Sequence, residues 1–162
     1  MKTVIYRIPA AWPGELAILA RPRGGEWLND EVEGWRDAGV QVVVSLLAEH
    51  EAAQLGLAAE AQLVQAAGLR FISFPIRDYD VPTSTEAVRD LVGELDRLLG
   101  AGKNVGIHCR GCIGRSSVIA ACLLLNNNKD SEACFEAISK SRGVPVPDTL
   151  AQREWVGHFA RM

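Results

Sequence analysis

The sequence predicts an α/β fold, a central mostly parallel sheet of about five strands with helices on both faces. Three observations predict it. Short apolar runs rich in β-branched residues recur between turn residues, segments of helical period fall between and after them, and the two kinds alternate. With 162 residues of which 48% are hydrophobic, the chain has the usual size of one domain with a real core. Residues 1–162 are accordingly read as a single domain.

The strands are "TVIYRI" (3–8), "LAILA" (16–20), "QVVVSLL" (41–47), "RFISFPI" (70–76) and "NVGIHC" (104–109). Helical period marks residues 26–38, 50–67, 83–100, 115–128, 131–141 and 149–161. Thr83 and Glu86 have capping-box spacing, and Ser131 and Asp148 stand as N-caps of the last two helices. Those last three helices follow one another without strands, so they should cluster on one side. The loops are 21–26, 77–84 and 141–148.

Charge and composition exclude several function classes. Seventeen basic against twenty acidic residues give a net charge of −3, with no continuous basic stripe, so no nucleic-acid partner is expected. No charged-then-apolar leader opens the chain, and its apolar runs stop short of the roughly 18 residues a membrane span needs. The expectation is a soluble, cytoplasmic monomer without a membrane span. Cys109, Cys112, Cys122 and Cys134 are crowded into one stretch, which suits reduced thiols better than a disulfide framework. Cys122 and Cys134 lie within helical apolar patterns, as core cysteines do. His50 and His158 read as surface residues.

Chemistry concentrates in "HCRGCIGRSS" (108–117), the turn from the last strand into the helix that opens at residue 115. Open α/β sheets place ligands at such a turn. Free N–H groups and the macrodipole at the helix start favour an anion, and Gly111 and Gly114 let the backbone bend its amides inward. Residues Arg110, Gly111, Cys112, Ile113, Gly114 and Arg115 form this cradle. Arg115 can offer two parallel donors to an oxyanion, and Cys109 at the floor of a positive bowl should be held as thiolate. A thiolate facing a bound phosphate is a nucleophile aimed at phosphorus.

"HCRGCIGRS" resembles the His-Cys-x5-Arg-Ser/Thr signature of the cysteine-dependent tyrosine and dual-specificity phosphatases, above all their kinase-associated and small dual-specificity-like members. "FPIRDYDVP" resembles that family's acid loop, and "PDTLAQ" the tail segment that carries a glutamine. The resemblance implies a dual-specificity-phosphatase-like fold, a phosphorylated protein or peptide as substrate, and no metal or other cofactor. It also implies two steps: Cys109 takes the phosphoryl group while Arg115 and loop amides hold its oxygens, and one aspartate protonates the leaving group, then activates water. That aspartate is Asp78 or Asp80, and the family's Pro-Ile-x-Asp pattern favours Asp78. Ser116 would hydrogen-bond the thiolate and ease its departure. His108 would orient the loop, Gln152 place the water or stand exposed, and Arg142 hold the loop or touch substrate at the rim.

Other readings stay open at this stage. Cys109 and Cys112 spell Cys-x-x-Cys, the setting of a redox pair, but that leaves Gly114, Arg115 and Ser116 unused. A rhodanese-like sulfurtransferase has one fewer residue between cysteine and arginine. A pseudophosphatase would bind phosphopeptides without turnover. Arg77 and Arg110 near the mouth keep phosphoinositides or other polyanionic phosphates in play.

Overall fold

Five strands of four residues each carry the fold of the computed structural model, which describes residues 3–127 and 130–162. They are β1 (Ile5–Ile8), β2 (Leu16–Leu19), β3 (Val42–Ser45), β4 (Arg70–Ser73) and β5 (Val105–His108), in the spatial order β1-β2-β5-β3-β4. Only β1 runs antiparallel, paired with β2; β2, β5, β3 and β4 run parallel. This is the mostly parallel sheet that the sequence predicts. Such strands are covered on both faces, which is why they read as unbroken apolar runs.

The helices are α1 (Leu28–Asp37), α2 (Glu49–Gln54), α3 (Glu60–Ala66), α4 (Thr85–Gly100), α5 (Arg115–Leu124), α6 (Ser131–Arg142) and α7 (Leu150–Ala160). Along β3 the side chains alternate: Val42 and Val44 join the core under α4 to α7, and Val43 joins Trp35, Val32 and Val64 under α1 and α3. All ten residues of α5 are buried, and α4, α6 and α7 pack around it. A helix covered all round has no polar stripe, as "VIAACLL" requires. Cys122 and Cys134 are wholly buried in this core, and burial pushes the Cys122 thiol pKa up.

The structure corrects five local expectations. The segment 50–67 is two helices, because Gly56 takes φ 73° and its carbonyl accepts the amide of Gly25 at 2.9 Å. A Cβ there would meet Gly25 N at 2.9 Å, so this tertiary approach overrides helical period. The three caps are each one residue from their expected place: Ser84 rather than Thr83, Asp130 rather than Ser131, Thr149 rather than Asp148. At α7 the reason is reciprocal bonding, since Thr149 accepts from Gln152 N while Gln152 accepts from Thr149 N. Helix 115–128 stops at Leu124 and tightens into a 3-10 turn to Asn127; residue 128 lies outside the described residues.

The register sets up the site. Ser45 is level with both His108 and Ser73, so the C-terminal ends of β5, β3 and β4 emerge side by side and release their loops at one edge. Because α5 carries the core on every side, Leu123→Ala is expected to cost about 3 kcal/mol, within the range of buried leucine truncations. A lower urea midpoint at unchanged slope checks it.

Candidate active site

Three loops converge at that edge. Residues 109–114 follow β5, Leu46 and the start of α2 follow β3, and the acid loop follows β4. Cys109 is 2% exposed, and its sulfur accepts the amide of Cys112 at 3.2 Å. Its thiol pKa is pulled down to about 5, chiefly by the hydrogen bond from Cys112, then by the hydroxyl and amide of Ser116 and the charge of Arg115, against burial, which raises it. Ser116 is fully buried beside it in the first turn of α5. The neighbouring Cys112 thiol shifts the opposite way, pushed up by its interaction with Cys109 and by burial.

Cys112 also carries the bend. The left-handed turn of the loop falls on it, at φ 60°, and on neither Gly111 nor Gly114 as the sequence suggested. A side chain in that region is strained unless its surroundings fix it. Here they do: the amide meets Cys109 Sγ, the thiol donates to Leu19 O at 2.9 Å, and the carbonyl accepts Arg142 Nε at 2.9 Å. Arg142 reaches Gly111 O as well, and its guanidinium lies 4.3 Å over the Tyr6 ring. It braces the loop from α6. Gly114 serves close approach instead, since a Cβ there would stand 2.5 Å from Asp148 Oδ2 and 2.8 Å from Gln152 Nε2.

Arg115 is 1% exposed. Its NH1 and NH2 meet the two carboxylate oxygens of Glu51 at 2.7 and 3.0 Å, NH1 also donates to Ile76 O at 2.7 Å, and NH2 to Asp78 Oδ1 at 2.9 Å. Burial works against the guanidinium's charge, yet the Glu51 hydrogen bonds and the charges of Cys109, Glu51 and Asp78 outweigh it and raise its pKa. Glu51 is lowered in turn: against burial stand the Arg115 hydrogen bond, the Ala48 amide, and the charges of Arg115 and Arg110.

The two loop aspartates part company. Asp78 touches Arg115, whereas Asp80 accepts from Val81 N at 2.8 Å and closes its own turn. His108 points away from the loop, fully buried, with Nε2 2.5 Å from Glu60 Oε2 and its ring stacked on Trp35. Gln152 is buried, not exposed: Oε1 accepts the amides of Asp148 and Thr149, and Nε2 donates to Asp80 O at 3.1 Å. Arg77 and Arg110 are exposed, and Ile113 is half-buried.

Glu51 and Glu60 escaped sequence reading, and Asp148 was read only as a helix cap. Glu51 and Glu60 lie in an apparently amphipathic helical stretch, where carboxylates normally face water. The available signal was indirect: a buried Arg115 requires a buried anion.

Two outcomes follow for this site. Glu51→Ala leaves the guanidinium uncompensated and should cost about 3–5 kcal/mol of stability, read from chemical denaturation. Thiolate ultraviolet absorbance, wild type minus Cys109→Ser, should appear as pH rises through about 5. Stability drawn from the thiolate is lost as pH falls through that same value.

Residues 18–129 match the family model described as "polymorphic toxin system, DSP-PTPase phosphatase". The mouse protein tyrosine phosphatase domain-containing protein 1 is 32% identical over 119 residues, covering 67% of this chain and 16% of its own. Human cyclin-dependent kinase inhibitor 3 is 25% identical over 134 residues, covering 82% of this chain and 63% of its own, so the chain spans only part of either relative. Among solved structures, a kinase associated phosphatase with its catalytic-site cysteine replaced by serine superposes with TM-score 0.91 at 21% identity, over 99% of this chain and 96% of that one. PTPMT1 in complex with PI(5)P superposes at 0.75 and 21% identity, over 90% of each chain. The fold is theirs, and the family match, which takes in the Cys109 loop, makes this chain a member of the DSP-PTPase phosphatase family.

Proposed function

We propose that this chain hydrolyses phosphomonoesters on proteins, phosphotyrosine and with it phosphoserine and phosphothreonine, through a cysteinyl-phosphate, without a metal. The observation that carries this reading is a buried sulfur that accepts the Cys112 amide, in the same loop as a guanidinium clamped by Glu51. Residues 1–162 act as one phosphatase domain and as a monomer, in a reducing compartment such as the cytoplasm.

In the first step the Cys109 thiolate donates its electron pair to phosphorus in line with the leaving oxygen. The S–P bond forms as the P–O bond breaks, and Arg115 with the loop amides receives the charge on the equatorial oxygens. Asp78 protonates the departing phenolate or alkoxide, a role supported by its position one hydrogen bond from that guanidinium. In the second step water attacks phosphorus, and the thiolate leaves, eased by Ser116. Arg142, and not His108, holds the loop that makes this geometry ready in advance.

A second reading, a phosphoinositide substrate, is favoured by the two exposed arginines, Arg77 and Arg110, and by the fold shared with PTPMT1, crystallised with PI(5)P. Cys109→Ser should abolish p-nitrophenyl phosphate turnover while inorganic phosphate still binds; retained turnover refutes the cysteinyl mechanism. Asp78→Asn should lower kcat by about 10²–10⁴, the usual worth of a positioned acid. Turnover of phosphotyrosyl peptide well above phosphoinositide supports the protein reading, and the reverse order replaces it.

A further inference from the structure

The resemblance gives both proton transfers to one aspartate, yet the structure brings a second carboxyl group, that of Asp148, to the same loop. Asp148 was expected to cap α7, but Thr149 caps it instead, so the Asp148 side chain is released from the helix start. It rests over the loop, with Oδ2 only 2.5 Å from where a Cβ on Gly114 would stand. Gly114 is the residue just before Arg115, and its lack of a side chain is what admits this carboxyl. Gln152, expected to place the water, has its carbonyl oxygen taken by the amides of Asp148 and Thr149 and its Nε2 joined to Asp80 O. The glutamine is thus a bracket that fixes the Asp148 backbone to the acid loop. Asp78, for its part, is engaged by Arg115.

Resting on the cysteinyl-phosphate reading, we infer that the two carboxyl groups divide the reaction: Asp78 protonates the leaving group in the first step, and Asp148 is the general base that activates water in the second. Water gives its proton to the Asp148 carboxylate as its oxygen bonds to phosphorus. The S–P electron pair returns to Cys109 as thiolate, and inorganic phosphate and protonated Asp148 remain. The proton then passes to solvent, which the exposed position of Asp148 allows. Partial burial of its carboxyl group, and then the negative charge of Asp78, raise the Asp148 pKa against the pull of Arg115. A carboxylate moved toward the working pH is a stronger base.

The test is rapid-quench kinetics of p-nitrophenyl phosphate with the wild type, Asp148→Asn, Asp148→Glu and Asp78→Asn. Asp148→Asn should keep the burst of nitrophenol within about threefold in rate while kcat falls about a hundredfold, with KM falling alongside it. Phosphorylated Cys109 should accumulate, seen by mass spectrometry of the quenched protein, and Asp148→Glu should restore part of kcat. Burst amplitude counts folded active sites, so a folding defect does not mimic this result. A slowed burst in Asp148→Asn, or an unchanged kcat, overturns the base assignment while phosphocysteine in the wild type leaves the cysteinyl reading standing. Absence of phosphocysteine from every form overturns both.

Discussion

The buried ion pair between Arg115 and Glu51 is the constraint on which the rest of the site depends. A guanidinium that is 1% exposed is tolerable only if its charge and donors are met, and Glu51 meets two of them in the fork-to-fork geometry that carboxylates share with phosphates. The Ile76 carbonyl takes another. The guanidinium plane is therefore fixed from behind by β3's and β4's following loops before any substrate arrives. Preorganised charge of this kind avoids reorganisation when phosphoryl charge develops.

That pair is possible because of the parallel sheet. Residues 51, 76 and 115 are far apart in sequence, yet the level ends of β3, β4 and β5 deliver all three to one edge. The same sheet contributes through β2, whose final carbonyl, Leu19 O, takes the Cys112 thiol and helps stabilise the one strained residue of the loop. β1 joins indirectly, since its Tyr6 stacks on Arg142. Each strand but β4 thus acts on the loop within a few bonds, and β4 acts through Ile76 and Asp78.

Fold and site were unequally legible in the sequence. The strands were readable because a sheet covered on both faces demands continuous apolar runs, and α5 because its apolar run follows the last strand directly. The Cys109-to-Arg115 loop was readable because its spacing is local. What failed was non-local: Gly56 breaks a helical period through a contact with Gly25, and Glu51 and Glu60 are buried by partners 64 and 48 positions away. The caps failed for a different reason. Adjacent polar residues at 83–84, 130–131 and 148–149 can each cap, and the choice depends on which side chain the entering loop leaves free. At 148–149 the choice matters chemically, because it decides whether the aspartate is a cap or a carboxyl over the loop.

The distribution of charge at the site also explains how a chain of net charge −3 can receive a phosphate dianion. Around Arg115 stand the Cys109 thiolate, Glu51, Asp78 and, farther out, Asp148, so the bowl is not positive by simple count. Its attraction for an anion comes from arrangement: Glu51 and the guanidinium compensate each other, while the start of α5 adds dipoles that carry no counter-charge.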